Sequence, residues 1–181
     1  IRTAEGIEHQ VDCIVFATGF EVAKAGTPFT IRGIQGRVLA EEWARGSQAY
    51  KSVNVSGYPN LSFILGPNSG PGHNSALVYM ESQIGYIVET IKTLRDQNLR
   101  LLDVKPEVQA QYNRAIQKRL ARTNWNSGCK SWYLHPKSGK NVTLWPGFTW
   151  QFRNETKRFD AEAYEWGAGK ATAEIQRAQA A

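Results

Sequence analysis

Cysteine is scarce: Cys13 and Cys129 are the only two in 181 residues, and no C-x-x-C pair occurs. Neither a disulfide framework nor a zinc site is signalled. Cys13 stands in an apolar run and is expected in the core. No apolar run approaches the ~18 residues of a membrane-spanning helix. No internal repeat is present. Ser127, Ser131 and Ser138 lie in polar loops without a G-x-S-x-G turn, so a hydrolase reading has no footing. Free thiols and the lack of a leader-like segment make the cytoplasm the expected compartment. The opening residues IRTAEGIEHQ carry no methionine and read like the interior of a longer polypeptide, so part of a protein is expected to be missing. Charge excess is thin: 22 Lys and Arg against 16 Asp and Glu, a net +6. That fits a polyanion partner, an anionic cofactor, or nothing in particular.

The rest is ordinary globular material, 41% hydrophobic and 21% charged, enough for one domain with a real core. VDCIVFATGF, Val11 to Phe20, is an apolar β-rich run that predicts a buried strand. YPNLSFILG predicts a second one, opened by a Pro-Asn turn and closed by Gly66. PFTIRGIQGRVL suggests short strands and a turn, and AEEWARG one or two helical turns. Leu77, Met80, Ile84, Ile87, Ile91 and Leu94 recur at steps of three and four, which predicts a helix from about Ser75 to Gln97 with that stripe packed inward. Asn74 or Ser75 can cap it. NLRLLDV predicts a short strand, and Pro106 suits the first position of a following helix. Val108, Tyr112, Ala115 and Leu120 form that helix's apolar side; Gln109, Asn113, Gln117 and Lys118 are expected in solvent. From Trp125 to Trp166 the chain turns aromatic. KSWYLHPKSGKNVTLWP reads as a hairpin bent at Ser138-Gly139, GFTWQFRNETKRF as a short helix, and the end as a small-residue tail.

Gly70-Pro71-Gly72-His73-Asn74-Ser75 imitates the G-x-G-x-x-G phosphate loop. The imitation fails in detail. The strand before it ends at Gly66, Ser75 replaces the third glycine, and the next acidic candidate, Asp103, comes more than 30 positions on, where a dinucleotide fold needs about 20. The helix start keeps its own chemistry, since free N–H groups and the helix dipole present roughly half a positive charge. A capped helix that touches no ligand is the alternative.

Three stretches resemble class B flavoprotein monooxygenases, Baeyer–Villiger monooxygenases especially. DCIVFATGFE is similar to their ATG strand, with Ala17-Thr18-Gly19-Phe20. GYPNLSFILGPNSGPGHNS resembles a flavin-side segment. GCKSWYL followed by NVTLWPGFTWQFRNETKRFD resembles the C-terminal region. The resemblance implies an α/β fold, the C-terminal part of a flavoprotein with two dinucleotide-binding domains: an incomplete Rossmann-like sheet with helices and an aromatic-rich end. Residues 1–20 would close the NADPH domain, 21–166 belong to the FAD domain, and 167–181 form a tail. It implies FAD and NADPH as cofactors, a C4a-peroxyflavin, a ketone and O2 as substrates, and the missing N-terminal part of the same enzyme as partner, with no membrane, nucleic acid or metal.

By the same resemblance, the helix start at His73, Asn74 and Ser75 would offer its amides to the flavin edge where negative charge builds on reduction. Gly66, Pro67 and Asn68 would shape the turn against the isoalloxazine. Trp132 would fold over bound NADP, or else be a buried anchor of the hairpin, and Lys130 could meet a phosphate. Thr18 and Gly19 would serve close packing between domains, with cofactor contact possible. His73 has no partner that would orient a general base. Departures are large: the nucleotide loops, the F-x-G-x-x-x-H-x-x-x-W signature and the active-site arginine of the family are absent, so no catalytic residue is assigned. Trp145, Phe148 and Trp150 either border the substrate pocket or are core. N- or S-oxygenation is the neighbouring alternative. From another class, Lys130, Lys137, Lys140, Arg153, Lys157 and Arg158 among aromatics would suit a single-stranded nucleic acid, although Glu155 and Asp160 interrupt them. A non-catalytic remnant used for assembly is the third reading.

Overall fold

The computed structural model describes residues 1–19, 29–127 and 131–167. Phe20, Cys129, Lys130 and the tail from 168 onward lie outside the described residues. Helix α1 (Leu39–Glu42) is followed by α2 (Ala76–Asp96), β1 (Leu101–Val104), α3 (Pro106–Leu120), α4 (Thr149–Thr156) and β2 (Tyr164–Gly167). β1 and β2 pair antiparallel, Leu101 opposite Gly167 and Val104 opposite Tyr164. Among the described residues no helix is long and apolar enough to cross a membrane, and no cluster of His, Cys, Asp or Glu could hold a metal ion.

Local rules place the helices. Ser75 caps α2, its Oγ accepting from the Leu77 N–H at 3.3 Å, and Pro106 occupies the first turn of α3. Gln151 turns back to accept from the Phe148 N–H at 3.0 Å and so closes the start of α4. The hairpin near Ser138-Gly139 forms through a bridge between Leu134 and Asn141.

Five expectations are corrected. Residues 11–19 form no strand and lie exposed, Val15 at 83% and Phe16 at 84%; Cys13 is exposed with them. Residues 58–66 also form no strand, only turns and a bridge from Asn54 to Ser62. A strand exists by pairing, and among the described residues neither run has a ladder to join. The stripe on α2 lies on the flank of the buried face: Ile87 and Leu94 pack against the core, but Leu77 is 65% and Ile91 58% exposed, while Tyr79, Gln83, Tyr86 and Thr90 are the residues buried. On the polar face of α3, Lys118 is exposed as expected, but the three amides are docked. Asn113 donates to the Ala49 carbonyl at 3.1 Å, Gln109 accepts from the Ser56 N–H at 2.7 Å, and Gln117 donates to the Asn141 carbonyl at 2.8 Å. Each reaches a loop backbone group that has no secondary structure to satisfy it.

The core follows from these faces. Tyr86 packs with Tyr50, Val53, Val104 and Tyr164 on one side; Tyr79 packs with Ile116, Leu144, Trp145 and Phe152 on the other. Each buried tyrosine removes roughly 150–250 Å² from water. Three of their hydroxyls meet in one network. Tyr50 and Tyr86 both donate to Asp160, Tyr86 and Tyr164 share a hydrogen bond of 2.8 Å, and Lys51 Nζ lies 3.0 Å from Asp160.

Asp103, on the outward side of β1, accepts from the Gly57 N–H at 3.0 and 2.9 Å. Burial pushes its carboxyl up from 3.8 to about 6, against the pull of that N–H and of Arg37. The folded state therefore holds the proton more tightly than the unfolded chain. Its stabilising contribution is complete below pH 3.8 and vanishes as pH rises through 6. Asp103→Asn should flatten the fall in stability between those limits by on the order of 1 kcal/mol, after discounting for partial exposure. Thermal unfolding of both proteins from pH 4 to pH 7 reads the difference; identical profiles would refute it.

Candidate functional site

The loop from Leu65 to Ser75 carries most of the sequence-predicted site residues, and the structure holds it from both ends. Gly66 lies against the turn at Tyr50–Val53. A Cβ there would sit far inside contact with the Ser52 carbonyl oxygen and 3.0 Å from Phe63 Cβ, so backbone meets backbone and only glycine fits. Pro67 is buried. Asn68 is buried with φ of 60°; its Nδ2 donates to the Asn141 carbonyl at 2.8 Å and the Leu144 carbonyl at 3.1 Å. The loop then runs beside residues 142–145. Asn68 N–H donates to Val142, Gly70 N–H to Thr143, and Trp145 N–H back to Gly70. Asn68 is thus committed to shaping the loop.

The two glycines of the phosphate-loop look-alike approach protein. A Cβ at Gly70 would come within 2.8 Å of the Thr143 carbonyl oxygen, and one at Gly72 within 2.6 Å of the Trp125 ring. Beyond them His73, Asn74 and Ser75 are exposed. Asn74 Oδ1 accepts from the Ser75 N–H at 2.7 Å, while its Nδ2 donates to Thr149 Oγ1 at 2.9 Å. That second bond ties the start of α2 to the start of α4. His73 packs edge-on to Phe148 with ring centres 6.3 Å apart. The amino end of α2 is consequently fixed in position and open at the surface.

Trp132 is exposed, which corrects the buried-anchor alternative. Its ring lies 4.2 Å from Tyr133, and Tyr133 meets Trp125 edge-on at 5.6 Å. Aromatic contacts therefore run from Trp132 to the ring over Gly72. Trp145 is core, whereas Phe148 and Trp150 are exposed near the amino end of α4. Thr18 and Gly19 belong to the exposed stretch, and a Cβ at Gly19 would meet nothing within 4 Å.

Sequence reasoning missed Asn141 and Gln83. Asn141 Oδ1 accepts from the N–H groups of Thr143 and Leu144 at 3.2 and 3.0 Å, an Asx turn that presents the carbonyls Asn68 grips. An Asn directly after Gly139-Lys140 was the available signal. Gln83 joins α2 to both loops, and its position between Tyr79 and Tyr86 on one helical face was the only hint.

No family model matches the chain. A Baeyer–Villiger monooxygenase of Pseudomonas aeruginosa is 48% identical over 165 residues, 91% of this chain and 31% of that protein. A Baeyer–Villiger monooxygenase of Streptomyces coelicolor is 40% identical over 164 residues, 90% of this chain and again 31% of the relative. Among solved structures, closed cyclohexanone monooxygenase superposes with a TM-score of 0.75 at 25% identity, covering 93% of this chain and 32% of that one. The NADP+-bound enzyme from Rhodococcus sp. Phi1 gives 0.75 at 24% identity, covering 91% and 32%. The fold is therefore part of an FAD/NADP-binding monooxygenase fold, and the chain spans about 31% of the curated relatives it matches.

Proposed function

We propose that this chain, which is of the Baeyer–Villiger monooxygenase type over that shared third, forms the flavin-facing C-terminal part of an FAD- and NADPH-dependent enzyme that inserts one oxygen atom from O2 beside a ketone carbonyl. The 48% identity to the Pseudomonas relative over 91% of the chain carries the reading. Residues 1–20 would leave the NADPH domain, 21–166 would complete the FAD domain and 167–181 would trail from it. The remaining part of the same enzyme would cover the exposed apolar face of α2. The cytoplasm, where reduced nicotinamide cofactor and free thiols coexist, is the proposed compartment.

The residues present fit a flavin on one side. The amino end of α2 is rigidly held yet open, and its dipole favours negative charge within about one helical turn. When bound, the flavin supplies the reducing electrons and the activation of O2. The chain's own contribution is placement. Asn74 and Ser75 fix the direction of the first amides, and Gly66 and Pro67 set the floor of the loop with Asn68 clamping it. Trp132 stands ready to cover a nicotinamide nucleotide from the same side, and Thr18 and Gly19 remain assigned to the crossing between domains. A preset dipole needs no reorganisation as charge develops. Phe148, against His73, is suited to wall the substrate side.

Expressed as its gene encodes it, the protein should purify yellow, release FAD on denaturation, and consume NADPH and O2 faster with a ketone than without, yielding an ester or lactone. A colourless protein would refute the flavin reading. Oxidation that ignores ketones but answers to amines or sulfides would move the assignment to N- or S-oxygenation. Neither that class nor a nucleic-acid module is favoured by the relatives.

A further inference from the structure

We infer that Gln83 is a positioning residue for the flavin-facing loop, an assignment that rests on the function proposed above. Gln83 stands on the buried face of α2 and is 0% exposed. Both ends of its amide are occupied across the sequence: Nε2 donates to the Ser52 carbonyl at 2.9 Å, and Oε1 accepts from the Leu65 N–H at 2.9 Å. One side chain thus ties the helix to the 50–53 turn and to the entrance of the 65–75 loop.

Both partners hold unfavourable backbone. Ser52 has φ of 60° and Leu65 φ of 54°; such left-handed conformations cost non-glycine residues roughly 1–2 kcal/mol each. Leu65 leaves its side chain exposed while its N–H is held inward. Burial of apolar surface therefore does not explain its conformation, and the hydrogen bond does. Gly66 follows at once, pressed on the same Ser52 carbonyl that Gln83 grips. The first four residues of the loop are consequently pinned at one end by Gln83 and at the other by Asn68, with Gly66 and Pro67 between. Because Gln83 also lies two turns into α2, it sets the loop in register with the helix whose amino end faces the flavin. Local strain retained this way is a recurrent feature of ligand-shaping loops.

The test uses the flavin-bound protein as its gene encodes it. Gln83→Met keeps the length of the side chain and removes both hydrogen bonds. Thr90→Val, on the same buried face but bonded only to the Tyr86 carbonyl, is the control for general loss of stability. Gln83→Met should weaken FAD binding by about tenfold or more and shift the flavin midpoint potential; Thr90→Val should leave both unchanged. Gln83→Glu provides an internal rescue. Its ionised carboxylate repels the Ser52 carbonyl, whereas the protonated form, favoured by burial, restores the donor. Its FAD affinity relative to wild type should therefore climb as pH falls. If Gln83→Met does not accumulate as folded protein, this pH dependence alone decides. Wild-type affinity and potential in Gln83→Met, or a pH-independent affinity ratio in Gln83→Glu, overturns the assignment while the proposed function stands. A wild-type protein that binds no FAD overturns both.

Discussion

Alanine at Gly66 should lower the stability of this chain by about 3 kcal/mol or more, the upper end of what overpacking does. The reason is the immobility of what the new methyl would strike. The Ser52 carbonyl is the nearest atom, with Ser52 C at 3.1 Å and Phe63 Cβ at 3.0 Å behind it. Ser52 cannot retreat easily. Its carbonyl is held by Gln83 at 2.9 Å, and it sits in a turn closed by the Val53 N–H on the Tyr50 carbonyl at 2.9 Å. Lys51 and Ser52 are both left-handed in that turn, the geometry of a type I′ hairpin bend. Asp160 anchors Tyr50 and Lys51 from outside. Relief must come from displacing the 65–68 loop, which would also move the proposed flavin floor. For a chain of this size the thermal midpoint should drop by roughly 6–12 °C. Gly85→Ala is the matched control, because a Cβ there meets nothing within 4 Å in the middle of α2; it should stabilise by about 0.5–1 kcal/mol. A midpoint for Gly66→Ala within about 2 °C of wild type, less than 1 kcal/mol at this size, would show that the loop yields and that the packing argument is wrong.

Asn68→Ala is the second large effect, expected at about 2–4 kcal/mol. Two separable losses contribute. The side chain holds the carbonyls of Asn141 and Leu144 in the interior. The Asn141 carbonyl keeps Gln117 as a donor at 2.8 Å, so the Leu144 carbonyl is the one whose loss weighs most. The backbone at φ of 60° is also one that alanine resists and asparagine tolerates. Asn68→Gly separates the two, since it accepts the backbone and deletes only the clamp. Chemical denaturation should rank wild type above Asn68→Gly, and Asn68→Gly above Asn68→Ala. If the glycine variant equals wild type, the clamp contributes nothing and the conformation of residue 68 was the whole effect.

The candidate site was half legible before any coordinates. Ser75 as cap and a helix start near it follow from local rules, which act within a few residues and so leave a mark in sequence; that His73 to Ser75 face a ligand is implied by the family resemblance alone. The glycines at 66, 70 and 72 were visible too, but what they approach was not. Gly70 meets Thr143 and Gly72 meets Trp125, partners more than 50 positions away. The resemblance implies that Asn68 shapes a turn, and only the fold shows that its amide is committed to residues 141 and 144. Gln83 and Asn141 were silent, because a buried amide is distinguished from a solvated one by its partners alone.

By itself the sequence determined where α2, α3, α4 and β1 run, because caps, proline placement and periodicity are encoded within each segment. It did not determine which side of α2 faces inward. Six apolar residues make a stripe, yet only its Ile87 and Leu94 edge packs against the core, and the fully buried side is that of Tyr79, Gln83, Tyr86 and Thr90. Nor did it determine whether the runs at 11–19 and 58–66 become strands. Tertiary structure decided both, for one physical reason: an apolar face or an extended backbone is satisfied only by a second surface, and which surface arrives is a property of the assembled fold rather than of the segment.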